Sequence, residues 1–193
     1  MTAQDSTENG FPPAIQISGN GLHLREWADD DLPVLVELFD EPQIHRWTPL
    51  SSPFDLAVAQ AYLSKAREDR TAGRGIQLAI TSDGRNAQGE ILLFRPDADD
   101  HEVELAYGIG ARHRRQRLAA RAVELMTAYA YDVLAMRRVV LRIDPENLAS
   151  VAVARATGFR LTGDHPVIKE RDGRRVSLLT WCHHREPDQI PSS

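Results

Sequence analysis

Residues Val103 to Phe159 read VELAYGIGARHRRQRLAARAVELMTAYAYDVLAMRRVVLRIDPENLASVAVARATGF, and the order of elements in this stretch decides the fold. Val103 to Gly110 is apolar and ends in two spaced glycines, Gly108 and Gly110, which predicts a strand running into a bend with exposed backbone. A basic run, Arg112 to Arg117, follows. Leu118, Ala119, Ala122, Val123, Leu125, Met126, Ala130 and Val133 then recur at three- and four-residue spacing. Arg115 to Leu134 is therefore expected to be a helix with one apolar face and an N-terminus beside the bend. Arg138 to Ile143 is rich in β-branched residues and predicts a strand buried between layers. After it come a turn at Asp144-Pro145, a cap at Asn147, a short apolar helix and a stop at Gly158.

Strand, bend and helix in that order form an anion site. First-turn amides have no intrahelical acceptor, and the aligned peptide dipoles add positive potential there. A diphosphate at this point meets backbone donors together with Arg112, Arg114, Arg115 and Arg117. The charge run by itself also suits a solvated helix start.

The stretch resembles the cofactor-binding core of the GCN5-related N-acetyltransferase (GNAT) family, most closely its Rim-type branch, the N-terminal acetyltransferases of ribosomal proteins. The family's loop pattern is Q/RxxGxG/A, whose backbone amides hold the coenzyme A pyrophosphate. Arg112 matches the first position, but the glycine positions fall on Arg115 and Arg117. Glycine lets phosphates approach the backbone, whereas arginine either crowds them or supplies charge. The Asn147 to Phe159 segment is similar to the family's asparagine, two residues, serine or alanine, helix, Gly-Phe. The resemblance implies acetyl-CoA as cofactor, with contacts from Arg112, Arg114, Arg115, Gln116, Arg117, Leu118, Ala119 and Asn147. It also implies that the two strands splay and that the pantetheine arm lies between them as an added strand.

Acyl transfer to an amine needs a polarised thioester carbonyl, a base and an acid for the departing thiolate. Amides near Tyr107, Gly108 and Ile109 are the expected donors to the carbonyl. The family's acid tyrosine falls on Ala154, so by resemblance the acid passes to Ser150, which equally suits a first-turn capping hydroxyl. Asn147 has the same two readings. For the base, Glu104 on the central strand and Glu170 before the last strand compete, with Glu104 the more firmly placed. His113 reads as a loop residue. Trp47, in a Pro-rich segment, is either a lid anchor packed on the core or a wall of the acceptor cleft. The single cysteine, Cys182, is not placed for a covalent intermediate, and no Cys/His spacing suggests a metal site.

The chain has 193 residues, 42% of them hydrophobic, enough for one domain with a proper core, expected over residues 14–184 between polar tails at 1–13 and 185–193. Lys+Arg 23 against Asp+Glu 28 gives a net charge of -5, which argues against a nucleic-acid surface, although Arg112 to Arg121 is locally basic. No apolar run reaches the roughly 18 residues that span a bilayer, and no signal peptide pattern opens the chain, so the expected location is the cytoplasm. Further expected elements are a strand at Leu22 to Glu26, a helix capped by Asp29 and Asp30, a loop from Glu41 to Pro53 and a helix from Asp55 to Thr71. Strands at Ile76 to Thr81 and Glu90 to Arg95 follow. Beyond Gly158 come a short strand at Phe159 to Thr162, a charged turn from Lys169 to Arg174, and a last strand from Arg175 to Cys182.

This is an α+β pattern: a mixed, mostly antiparallel twisted sheet of about six or seven strands with helices on both faces, matching the GNAT fold from Leu22 to Cys182. The expected activity is acetyl-CoA-dependent acetylation of a primary amine, either a peptide N-terminus or a small molecule, by direct attack. The alternative is a degenerate GNAT fold that binds an acyl-CoA or a protein partner without turnover. Both a monomer and a homodimer remain open.

Overall fold

The computed structural model describes residues 11–12, 14–95, 101–171 and 173–185. Among these, the strands are β1 (Gln16–Gly19), β2 (Leu22–Glu26), β3 (Gly75–Thr81), β4 (Ala87–Phe94), β5 (Glu102–Ile109), β6 (Arg138–Ile143), β7 (Arg160–Leu161), β8 (Val167–Arg171) and β9 (Arg174–His183). They form one sheet in the order β1-β2-β3-β4-β5-β6-β9-β7, with β8 paired to β9. Only β5 and β6 run parallel, so the sheet is the mixed, mostly antiparallel one expected.

Period-two alternation on the strands puts an apolar row on each face, and helices cover both. On one face lies α4 (Leu118–Asp132), whose Leu118, Ala122, Val123, Met126 and Ala130 pack on Leu78, Ile91, Leu105 and Leu141. Ala154 of α5 (Leu148–Ala156) joins the same core. On the other face, α1 (Leu32–Phe39), α2 (Pro42–Trp47) and α3 (Leu56–Thr71) supply Leu35, Leu38, Phe39, Ile44, Ala59 and Leu63 to a second core. Each fully buried large side chain contributes roughly 1.5–3 kcal/mol. Because Ile91 and Leu93 of β4 face α4, Glu90 between β3 and β5 faces α3.

Several elements differ from the sequence expectation. The segment expected as a loop, Glu41 to Pro53, begins with α2: Pro42 sits at a first-turn position, where a missing N–H is harmless, and the Glu41 carboxylate accepts from Gln43 N at 3.4 Å. Of the charged turn expected at Lys169 to Arg174, Lys169 to Arg171 belong to β8 and Arg174 to its partner β9, while residue 172 lies outside the described residues. β1 pairs with β2 through a turn at Asn20 and Gly21, both at positive φ (51° and 68°). The helix expected from Arg115 starts at Leu118, because Arg115 and Arg117 adopt left-handed backbone. Asp29 and Asp30 do not cap α1; Asp31 precedes it and bonds instead to Ala28 N and the Arg25 guanidinium. Most of the expected tails, 1–10, 13 and 186–193, and the segment at 96–100 lie outside the described residues. Phe11 is buried in the α4-side core, with the Arg95 guanidinium 4.9 Å from its ring centroid, so packing reaches into the segment expected as a tail. No helix among the described residues is long and apolar enough to cross a membrane.

Candidate active site

β5 and β6 pair at Glu102–Arg138, Val103–Val139 and Glu104–Val140 and then part, although β5 continues to Ile109 and β6 to Ile143. The free edge of β5 can be assigned residue by residue. Gly110 N donates to Gln88 O at 3.1 Å, and Glu90–Gly108 and Leu92–Ala106 continue that register, so even-numbered residues of β5 direct their backbone groups to β4. Odd-numbered ones turn toward β6, as His101 O does in accepting from Arg138 N at 3.1 Å. Of the three expected donors, Gly108 N–H is therefore committed to β4, while Tyr107 N–H faces the gap. Ile109 faces it too, but its carbonyl accepts from Arg114 Nε at 3.1 Å.

The gap opens into a cleft of about 790 Å³ that gathers Trp47, Glu104, Tyr107, Gly108, Asn147, Ser150 and Glu170 from the expected residues. Asn147 caps α5, its Oδ1 accepting from Ser150 N at 3.2 Å. That leaves the Ser150 hydroxyl without a cap bond and beside the cleft. The Tyr107 hydroxyl is buried without a well-formed hydrogen bond among the described residues. Burial pushes its pKa up to about 12, and Ser150 opposes the shift as the hydrogen-bonding group acting on it. Glu104 is ion-paired with Arg142, which also reaches Glu102 at 3.4 Å. Burial raises its carboxyl above the usual range, and the Arg142 charge works against that. Glu170 is exposed on β8 at the rim. Trp47 ends α2 and lines the cleft, its carbonyl accepting from Arg171 Nη1 at 2.8 Å.

The basic loop splits into two groups. Arg114 turns inward, bonded to Gln43 Oε1 at 3.0 Å and ion-paired with Glu41, so it ties the bend to α2. Arg112 pairs with Glu37 of α1 at 2.7 Å on the surface. Arg115 (φ 64°) and Arg117 (φ 58°) hold left-handed conformations, with Gln116 exposed between them. The amides of Arg115 through Ala120 meet no acceptor among the described residues. This is a concave row of donors at the start of a 15-residue helix, beside the Arg115 and Arg117 guanidinium groups, which pair with no carboxylate among the described residues. The backbone has the shape that glycine adopts readily, made here with arginines.

Sequence reasoning missed Glu90. It is 2% exposed, lines the same cleft and accepts from Trp27 Nε1 at 2.9 Å and Tyr62 Oη at 2.6 Å. Burial raises its pKa to about 7 against the pull of both bonds. The available signal was the charge itself, placed where alternation turns it away from the core of Ile91 and Leu93 and under a predicted helix.

Comparison with known proteins agrees with this geometry. A family model for the acetyltransferase (GNAT) domain matches residues 21–160. An N-acetyltransferase of Bacillus licheniformis, p20, described as uncharacterized, is 20% identical over 161 residues, covering 83% of this chain and 90% of that protein. Mycobacterium smegmatis RimJ, solved in complex with CoA-disulfide, superposes with a TM-score of 0.74 at 19% identity, covering 93% of this chain and 90% of RimJ. A GCN5-related N-acetyltransferase from Brucella melitensis superposes at 0.75 with 22% identity, covering 90% of this chain and 80% of that one. With its splayed strands, donor-lined helix start and a family match over most of its length, the chain belongs to the GNAT acetyltransferase family.

Proposed function

We propose that the protein transfers an acetyl group from acetyl-CoA to a primary amine, a peptide N-terminus or a small molecule, by direct attack. The observation that carries this reading is the parting of β5 and β6 beyond Glu104, which leaves Tyr107 N–H free at a cleft holding Ser150 and the Tyr107 hydroxyl. The residues present fit an acyl-CoA: unpaired amides from Arg115 to Ala120 suit its diphosphate, with Arg115 and Arg117 adding charge, and the open edge of β5 suits its amide-bearing arm. Once bound, acetyl-CoA supplies an activated acyl carbon and a thiol leaving group.

The chain's own groups then divide the work. Tyr107 N–H points where negative charge develops on the acyl oxygen, and a preorganised donor in a partly dry site lowers the barrier more than it stabilises the ground state. Ser150 and the Tyr107 hydroxyl stand where a thiolate needs a proton. Glu170, exposed at the rim, offers a carboxylate to an incoming ammonium, while Glu104 is held by Arg142. Arg112 and Arg114, tied to Glu37 and Glu41, hold the bend rather than the phosphates.

The test is thiol release from acetyl-CoA against a panel of amines, beside calorimetry of acetyl-CoA binding. Turnover is expected with at least one amine. Ser150→Ala should lower kcat by about tenfold or more with little change in acetyl-CoA affinity. Tight binding without release for any amine would turn the reading into that of a binding module. No binding at all would remove both.

A further inference from the structure

We propose that Tyr62 and Glu90 form the proton relay on the acceptor side of the cleft: the Tyr62 oxygen accepts a hydrogen bond from the attacking amine, and its own proton passes to Glu90. This rests on the transferase reading above and names the groups that take the amine's proton.

Position comes first. Glu90 is the direct cross-strand partner of Gly108, so it stands one strand away from the Tyr107–Gly108 segment of the free edge. Tyr62 reaches the same cleft from α3. Its ring is fixed edge-on between Phe39 (centroids 6.4 Å apart) and Phe54 (5.8 Å), so its hydroxyl has a defined direction. That hydroxyl donates to Glu90 Oε2 at 2.6 Å, which leaves the phenolic oxygen as an acceptor on its cleft side. Trp27 Nε1 holds the other carboxylate oxygen at 2.9 Å.

Chemistry comes second. A carboxylate enclosed in an apolar layer without a cation is costly, and a neutral side chain could satisfy two donors at less expense. The groups around it do not neutralise it. On α3, Lys65 pairs with Asp69; on β2, Arg25, in the same cross-strand row as Glu90 through Ala79, pairs with Asp31; on β5, Glu104 pairs with Arg142; on α1, Glu37 pairs with Arg112. β3 carries no ionisable side chain, and β4 carries none besides Glu90. The paired Glu104 is a poorer proton acceptor, because Arg142 stabilises its charged form.

The step balances. The nitrogen forms a bond to the acyl carbon as the C–S bond breaks. Its surplus proton moves to Tyr62 Oη while the Tyr62 proton moves to Glu90, leaving Tyr62 unchanged and Glu90 neutral. The thiolate takes its proton from the Ser150 and Tyr107 wall. Return of the Glu90 proton to solvent through Tyr62, and reprotonation of that wall, resets the site.

The test compares wild type, Glu90→Gln and Tyr62→Phe with saturating acetyl-CoA and an amine that wild type accepts, from about pH 5.5 to 9. Wild-type kcat/KM should rise with pH and level off above about 7, the value to which burial raises Glu90. Both variants should lose about 10²-fold in kcat and lose that ascending limb, with acetyl-CoA affinity by calorimetry unchanged. Difference infrared spectra of wild type without substrate should show one carboxyl deprotonating in the neutral range, absent in Glu90→Gln. If either variant keeps the wild-type rate and pH profile, or the infrared band is missing, Glu90 is a structural carboxylate and the relay is wrong. Should Glu90→Gln fail to fold, Tyr62→Phe decides, since it leaves Glu90 bonded to Trp27. A wild type that releases thiol for no amine removes the transferase reading, and the relay with it.

Discussion

Arg117, with φ 58° and ψ 19°, and Arg115, with φ 64°, occupy backbone states that cost an L-residue roughly 1–2 kcal/mol each. The chain keeps them where the resemblance places glycines, so the loop's shape is preserved while its chemistry changes. Arg117→Gly separates the two consequences. Removing the Cβ clash should stabilise the fold, less the roughly 0.5–1 kcal/mol by which glycine favours the unfolded chain, so the denaturation midpoint should hold or rise slightly. Acetyl-CoA affinity should fall several-fold through the lost charge. Tighter binding in the variant would mean that the arginine crowds the phosphates. At Glu90 the sign of the pH effect is opposite to that of a salt-bridged carboxylate. Its folded pKa, about 7, lies above the unfolded 4.5, so between these values the native state binds more protons and stability falls as pH rises. The contribution is present below about pH 4.5 and lost through pH 7, on the order of 3 kcal/mol in total. Thermal melts of wild type should show this decline relative to Glu90→Gln.

The β5–β6 pair sets a prediction at the scale of elements. Ala106 and Gly108 already bond to β4, and Leu105 still turns to β6 across the Glu104–Val140 pair, whereas Tyr107 faces the gap, so acetyl-CoA should slow amide exchange at Tyr107 and leave Leu105, Ala106 and Gly108 nearly unchanged. Residue-level hydrogen exchange checks the alternation; uniform slowing along β5 would indicate general stabilisation instead of strand-like docking. These elements were legible in the sequence because their signals are long: the apolar run of β5, the three-four spacing of α4 and the β-branched run of β6. What was missed is short or depends on context. β1 has four residues, and its clue was the Asn20-Gly21 dipeptide. α2 hides among prolines, one of which occupies the first-turn position that tolerates it. β8 reads as a charged turn because its partner, β9, alone makes it a strand. The start of α4 was misplaced by three residues because nothing in an arginine's identity announces left-handed backbone. Glu90 was missed because its environment comes from α3 and Trp27, distant in sequence.

At the scale of the molecule, the cleft exists because the two helical layers do not cover the sheet equally: α4 and α5 seal one face, while α1, α2 and α3 leave the other face of β4, β5 and β6 partly bare. A bond crosses this opening from Arg171 Nη1 on β8 to the Trp47 carbonyl at the end of α2, residues 124 apart in sequence. Arg171 is half-buried, and burial lowers its pKa, yet it remains charged throughout the physiological range. Arg171→Ala should cost about 1 kcal/mol or somewhat more in stability, the value of one charged hydrogen bond at a partly exposed site. The larger effect belongs to the acceptor. The end of α2 carries Trp47 into the cleft, so freeing it from β8 loosens the wall against which an amine substrate is held. The donor row at α4 and the free edge of β5 lie elsewhere and stay intact. Steady-state kinetics on Arg171→Ala should therefore give an acceptor KM raised several-fold, with acetyl-CoA affinity within about twofold of wild type. An unchanged acceptor KM would place Trp47 and α2 outside the acceptor path, and a matching loss in acetyl-CoA affinity would show that the bridge supports the whole cleft instead of one wall.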